Sequence, residues 1–237
     1  MKPILFNTDM VRAILDGRKT VTRRVIKTKH KGACGFNVVT RKLDGAFMGV
    51  YEYDENESMF DNPLEPPYKV GDILYVRETW HKYTKRVGKG EQCHLQEIYG
   101  YKASIANSED ANEKWKPSIH MPKEAARLFL RVTNVRVEKL QDMGLEDYLK
   151  EGIYIRRDEV QLSGSFLTIP QRETAIKHKR EAVARDKFVE LWNSTAGKPN
   201  SPERRVNNWY ANPFVWVIDF EVITDEELKA WHSWQQH

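Results

Sequence analysis

Phe6-Asn7-Thr8-Asp9-Met10-Val11-Arg12-Ala13-Ile14-Leu15-Asp16-Gly17-Arg18-Lys19-Thr20-Val21-Thr22-Arg23-Arg24 reads as a short amphipathic helix that stops at a glycine and releases a basic strand. Met10, Val11, Ile14 and Leu15 recur at helical spacing, Thr8 or Asn7 caps the start, and Gly17 takes the left-handed conformation that ends the helix. The turn gathers a potential base, Lys19, and a hydroxyl, Thr22. It also gathers Arg18, Arg23 and Arg24, whose forked N–H groups suit a phosphate or carboxylate. In a regular strand Lys19 and Thr22 lie on opposite faces, so joint action requires a turn or bulge just after Gly17.

Outward from this turn, Phe36–Lys42 and Ala46–Tyr51 flank Leu43-Asp44-Gly45 and predict a hairpin. Asp54–Tyr68 is acidic and proline-bearing and reads as an exposed connection. Val70–Trp80 alternates, with Ile73, Tyr75, Arg77 and Thr79 on one face and Leu74, Val76, Glu78 and Trp80 on the other. Arg77 or Glu78 then either points into a cleft or forms a salt bridge at the rim. Lys82–Gln92 reads as a flexible basic segment, Gln96–Ala103 as a short strand, and Ile105–Lys114 as loose. His120 stands between Pro117 and Pro122, held rigidly, either as a structural hydrogen-bonding residue or as a substrate contact.

Leu128–Glu138 predicts a strand pair or one bent strand, and Leu145–Gly152 a short helix with its own glycine stop. Tyr154–Pro170 reads as irregular or partly stranded, Arg172–Asn193 as a long charged helix, and Pro213–Val222 as a strand. Thr224 opens a last helix with Glu227 completing a capping box. Many short strands without βα alternation predict an α+β fold: a small curved antiparallel sheet or barrel decorated by helices.

Bulk properties constrain function less. The 237 residues carry a net charge of +4, which permits a nucleic-acid partner without requiring one. Cys34 and Cys93 are the only cysteines and sit in no ligand pattern, so neither a disulfide framework nor structural zinc is expected. No metal or organic cofactor, no membrane partner and a cytoplasmic location are the corresponding expectations. The seven tryptophans divide between packing and ligand stacking.

Ile14–Arg23, Val70–Val76 and the Glu151-Gly152 helix end together resemble the ASCH domain, a branch of the PUA-like β-barrel superfamily. The closer similarity is to larger, phage-type members, through Arg77–Trp80, Pro117–Pro122, Leu140–Asp142 and Asn212–Val217. The resemblance implies one elaborated domain over residues 1–237, a curved antiparallel barrel with insertions near 28–68, 82–122 and 154–185. It implies a cleft for RNA or a modified nucleoside beside the Gly-Arg-Lys-Thr turn. A small bacterial member is an N4-acetylcytidine amidohydrolase, whose lysine, threonine and glutamate correspond to Lys19 as proton acceptor, Thr22 as nucleophile and Glu151 as proton donor. Arg18, Arg23, Arg24, Tyr75, Arg77, Glu78, Trp80 and His120 are the candidate binding residues. The alternatives are a noncatalytic reader of modified nucleic acid and a ribonuclease using His120 or Lys19 as base.

Overall fold

The computed structural model describes residues 1–88, 93–104, 114–162, 168–197 and 201–234. Its elements in order are β1 (Lys2–Leu5), α1 (Thr8–Leu15), β2 (Val21–Val25), β3 (Gly35–Thr40), β4 (Phe47–Tyr53), β5 (Ile73–Arg77), β6 (Trp80–Val87) and β7 (His94–Tyr101). Then follow β8 (Phe129–Lys139), α2 (Leu145–Lys150), α3 (Ile169–Thr195), α4 (Pro202–Asn207), β9 (Phe214–Val222) and α5 (Asp225–Trp234). The fold is a mixed α+β arrangement. Five strands form one sheet in the order β1-β5-β8-β9-β2, and two separate hairpins, β3-β4 and β6-β7, stand beside it.

The sheet is clothed on both faces, and β9 shows why its sequence is almost continuously apolar. Trp216, Ile218 and Phe220 join Phe6, Val11, Ile14, Leu74 and Leu130 in one core cluster. Val215 and Val217 join Val21, Tyr148, Phe188 and Trp209 in a second. Successive side chains of a strand point to opposite faces, so α1 and the β3-β4 hairpin lie over one face and α2 with α3 over the other. A register shift between Val132 and Asn134 lets β8 follow β9 as one long bent strand.

Three expectations need correction. β1, too short to show a period and carrying Pro3, is an edge strand and pairs parallel with β5, so the sheet is not purely antiparallel; a proline is tolerated at such an edge. Lys82–Val87 is not a flexible segment but the body of β6, paired in register with β7 from Trp80↔Tyr101 to Val87↔His94. Its side chains are mostly exposed, so no apolar alternation marks it, and the backbone ladder carries the ribbon. Leu64, inside the supposedly exposed connection, is buried and donates its N–H to Val50 O at 2.6 Å. Residues 105–113, read as loose, lie outside the described residues. The other elements match: Asn7 caps α1 through Met10 N, and Thr224 and Glu227 form their reciprocal pair. Among the described residues no helix is long and apolar enough to cross a membrane.

Candidate functional site

The chain leaves α1 through Gly17, whose φ is +71°, and both Arg18 N and Lys19 N donate to Ala13 O. This double bond on one carbonyl bends the backbone before β2 begins. Lys19 therefore precedes the strand and places its Nζ 5.6 Å from the Phe6 ring centroid, in the cluster that also holds Ile26. Thr22 shares a strand face with Ile26, so the bend brings Lys19 and Thr22 to the same side of the sheet. The Lys19 ammonium donates to Val21 O at 2.8 Å, the carbonyl of the peptide that carries the Thr22 nitrogen.

The third residue arrives from 132 positions away. The end of α2 pairs with the residues before β2: Thr20 N donates to Lys150 O and Lys19 bridges Glu151. Gly152, at φ +94°, allows this approach, because a Cβ there would lie 2.7 Å from Ala13 Cβ and 3.1 Å from Lys19 Cβ. Glu151 then reaches around the sheet edge formed by β2. Its Oε2 accepts from Lys19 Nζ at 2.5 Å and its Oε1 from Arg23 Nη1 at 3.1 Å. Lys19, Thr22, Arg23 and Glu151 are all buried, at 1%, 1%, 2% and 4% exposure.

Buried charge on this scale persists only when paired. Arg23 is paired three times, with Glu151, with Asp147 at 3.0 Å and with Glu138 at 3.4 Å. Burial pulls its pKa down, but Glu151 and Asp147 outweigh that and hold it above the ordinary arginine value. Lys19 goes the other way. Burial lowers its pKa, Glu151 opposes, and Arg24 and Arg23 add to the lowering. A lysine can shed its proton under such pressure and an arginine cannot.

A cavity of about 290 Å³ opens beside this cluster, between α1, β2 and α3; Thr22, Arg23, Arg24 and Glu151 line it with Met10, Phe188 and Trp192. Phe188, Leu191 and Trp192, one stripe of α3 at helical spacing, wall the cavity. Asp147 and Glu138 are not singled out by the sequence, and Met10 stands out there only as part of the apolar stripe of α1. Asp147 carried one signal, its place three residues into a helix, where it accepts from Gly144 N.

The arginines separate into three roles. Arg23 grips carboxylates of the protein, so it is not available as a phosphate clamp. Arg18 donates to Gly152 O at 2.6 Å and Asp16 at 2.8 Å and borders a different cavity, with Tyr154 and Arg180. Arg24 lines the site, donating to Leu5 O at 3.2 Å with its guanidinium 5.7 Å from the Phe6 ring.

The remaining candidates are not brought to this cavity. Glu78 is buried and held by Arg127 through bonds of 2.9 and 3.0 Å, and Arg77 donates to the carbonyls of Met121 and Ile119. Trp80 is buried against Met121 and Ala125. Tyr75 lies on β5 and is not among the lining residues. His120 is exposed on a short turn, Ser118–His120, so it does not meet Lys19. Both Glu151 oxygens are engaged, Oε2 by Lys19 and Oε1 by Arg23.

Comparison of the chain with models of protein families, with curated proteins and with solved structures gave no match.

Proposed function

We propose that this chain is an ASCH-type, PUA-like protein that admits a modified nucleoside to the cavity beside β2 and hydrolyses an acyl amide on a cytosine-like base. The observation that carries this reading is the buried pairing of Lys19 with Glu151 at 2.5 Å, where Glu151 and Thr22 line one cavity and Lys19 stands behind them. Burial lowers the Lys19 pKa, which favours the neutral amine that can act as a base, and a threonine hydroxyl attacks an amide only when a base takes its proton.

The step balances as follows. Lys19, neutral, accepts the Thr22 hydroxyl proton as Thr22 Oγ1 bonds to the acyl carbon. The carbon–nitrogen bond breaks, and the proton passes from Lys19 through Glu151 to the departing exocyclic nitrogen. Water then attacks the threonine ester, Lys19 taking its proton and returning it to Thr22 Oγ1 as that bond breaks and the carboxylic acid leaves. Arg24 and the buried Arg23 Nε, which has no partner among the described residues, supply donors for the developing oxyanion. Phe188 and Trp192 give the base an aromatic wall.

Purified wild type and its Lys19→Ala and Thr22→Ala variants, incubated with N4-acetylcytidine, test this by chromatography. Cytidine from wild type and from neither variant is the expected result. Binding of the nucleoside without product would reduce the site to a noncatalytic reader, and no binding by the folded protein would overturn the reading.

A further inference from the structure

Another face of α3 borders a second cavity, of about 650 Å³, which shares no lining residue with the site beside β2. His178, Glu181, Arg185 and Val189 recur along that face at helical spacing, and Tyr148 of α2 and the turn Trp209–Ala211 contribute the other walls. Phe188 is the partition between the two cavities. It lines the first, and its ring centroid stands 5.5 Å from that of Tyr148 and 6.0 Å from that of Trp209 in the second. The Trp209 wall is fixed by the protein itself: Gln141 Nε2 donates to Trp209 O at 2.9 Å, and Trp209 N donates to Asn193 Oδ1 at 2.9 Å.

The polar groups of this cavity are left open. Tyr148 is 2% exposed, yet its hydroxyl has no hydrogen-bond partner among the described residues, and a buried hydroxyl without one is costly. Burial raises its pKa, Arg185 opposes the rise and Glu181 adds to it. The hydroxyl therefore keeps its proton at neutral pH and lies within the field of two residues that line the cavity. Glu181 and Arg185 stand one turn apart, the spacing of a helical ion pair. They do not pair: Arg185 reaches its neighbour Asp186 at 3.5 Å, and Glu181 has no ion pair among the described residues. A free acceptor and a forked donor thus stand side by side, near a hydroxyl donor and the rings of Trp209 and the exposed Tyr210.

We propose that this cavity binds a planar aromatic amide, a carboxamide or ring lactam, seated against Trp209 with its N–H on Glu181 and its carbonyl on Arg185 and the Tyr148 hydroxyl. An amide offers a donor and an acceptor on one edge, and the wall offers their complements. A carboxylate in the same place would bring no donor for Glu181 and would be repelled by Glu181 and Asp186. An ammonium would leave Arg185 and the Tyr148 hydroxyl without an acceptor. The aromatic walls favour a flat ring over an aliphatic chain. This site stands independently of the nucleoside reading, because its lining residues are its own.

Saturation-transfer NMR titrations with quinoline-3-carboxamide, quinoline-3-carboxylate and 3-(aminomethyl)quinoline near neutral pH test the site, since the three share a ring system and differ in charge. The carboxamide is expected to bind saturably and at least about fivefold tighter than either charged analogue, the scale of one hydrogen bond. Tyr148→Phe keeps the ring against Phe188 and removes the hydroxyl, and is expected to weaken carboxamide binding about fivefold. Glu181→Met and Arg185→Met are each expected to weaken it about tenfold, since a bond to a charged partner is the stronger kind. Lys177→Met, exposed on α3 outside the cavity, and Thr22→Ala, in the other cavity, are expected to bind as wild type does.

No saturable binding of the carboxamide to the folded protein would overturn the proposal, as would equal or tighter binding of a charged analogue. Loss with Thr22→Ala and none with Tyr148→Phe would put the probe beside β2 and overturn it as well. Carboxamide binding by a protein that does not turn over N4-acetylcytidine would leave this site standing and remove the catalytic reading. Turnover by a protein that ignores the carboxamide would do the reverse.

Discussion

Glu151 and Glu78 are both carboxylates buried beneath a strand end, 4% and 1% exposed, yet they are neutralised in different ways. Glu78 takes a two-point grip from a single arginine, Arg127, whose side chain stays 25% exposed and stacks 4.1 Å from the Tyr101 ring centroid. Glu151 is divided, one oxygen to a lysine and one to an arginine. An arginine keeps its proton throughout the accessible pH range, so the Glu78 pair is fixed, whereas a buried lysine whose pKa is lowered can give its proton up. The second arrangement adjoins a cavity and can move a proton; the first can only hold strand to loop.

The comparison is broken most directly at Thr22 and Lys19. If the divided pair is a working one, Lys19→Met and Thr22→Ala each reduce N4-acetylcytidine turnover by about 10³-fold or more, the scale of losing a positioned base or nucleophile, while an Arg127→Ala variant that remains folded keeps its turnover. Equal losses in all three, measured as kcat on folded protein, would erase the distinction.

Stability is expected to rank the pairs in the opposite order. Arg127→Ala strands a buried carboxylate and costs about 3 kcal/mol, the low end for a broken buried pair because Arg127 is partly solvated. Glu151→Gln costs less, about 1–2 kcal/mol, because Arg23 keeps Asp147 and Glu138 and Lys19 relaxes by losing its proton. Urea unfolding of the two variants measures the difference.

A smaller effect sharpens the same contrast through pH. The folded pKa of Lys19 lies below its ordinary 10.5, so between the two values the unfolded chain binds more protons than the folded one, and stability rises with pH there. Wild type is therefore expected to gain on Lys19→Met as pH rises toward 10.5, and turnover to rise along an acidic limb centred on the folded pKa of Lys19 and to level off above it. A turnover profile with no acidic limb below that plateau would remove Lys19 as the base. Least of all, Arg131→Ala, which breaks exposed pairs to Glu221 and Glu227, is expected to cost under about 1 kcal/mol in urea.

How far the sequence could be read follows from what each segment buries. β9 and α1 were legible because their burial writes a pattern: both faces apolar in one, a helical stripe in the other. β7 was read as a strand over Gln96–Ala103, but its partner β6 was not, because a ribbon strand with exposed side chains is held by its backbone, and backbone bonds leave no mark on residue type. Lys19, Thr22 and Glu151 could be singled out through motif and chemistry. Arg18, Arg23 and Arg24, three arginines within seven residues, could not be told apart.

By itself the sequence determined the helix, the glycine that ends it and the donors that follow, since these depend on local propensity and on the φ only glycine takes easily. Tertiary structure alone decided that Arg23 turns to Asp147 and Glu138, that Arg24 faces a cavity, and that Glu151 comes round the edge of β2 to Lys19. Those choices belong to contacts between segments more than a hundred residues apart, where the requirement to pair every buried charge selects one partner among many that residue type would allow.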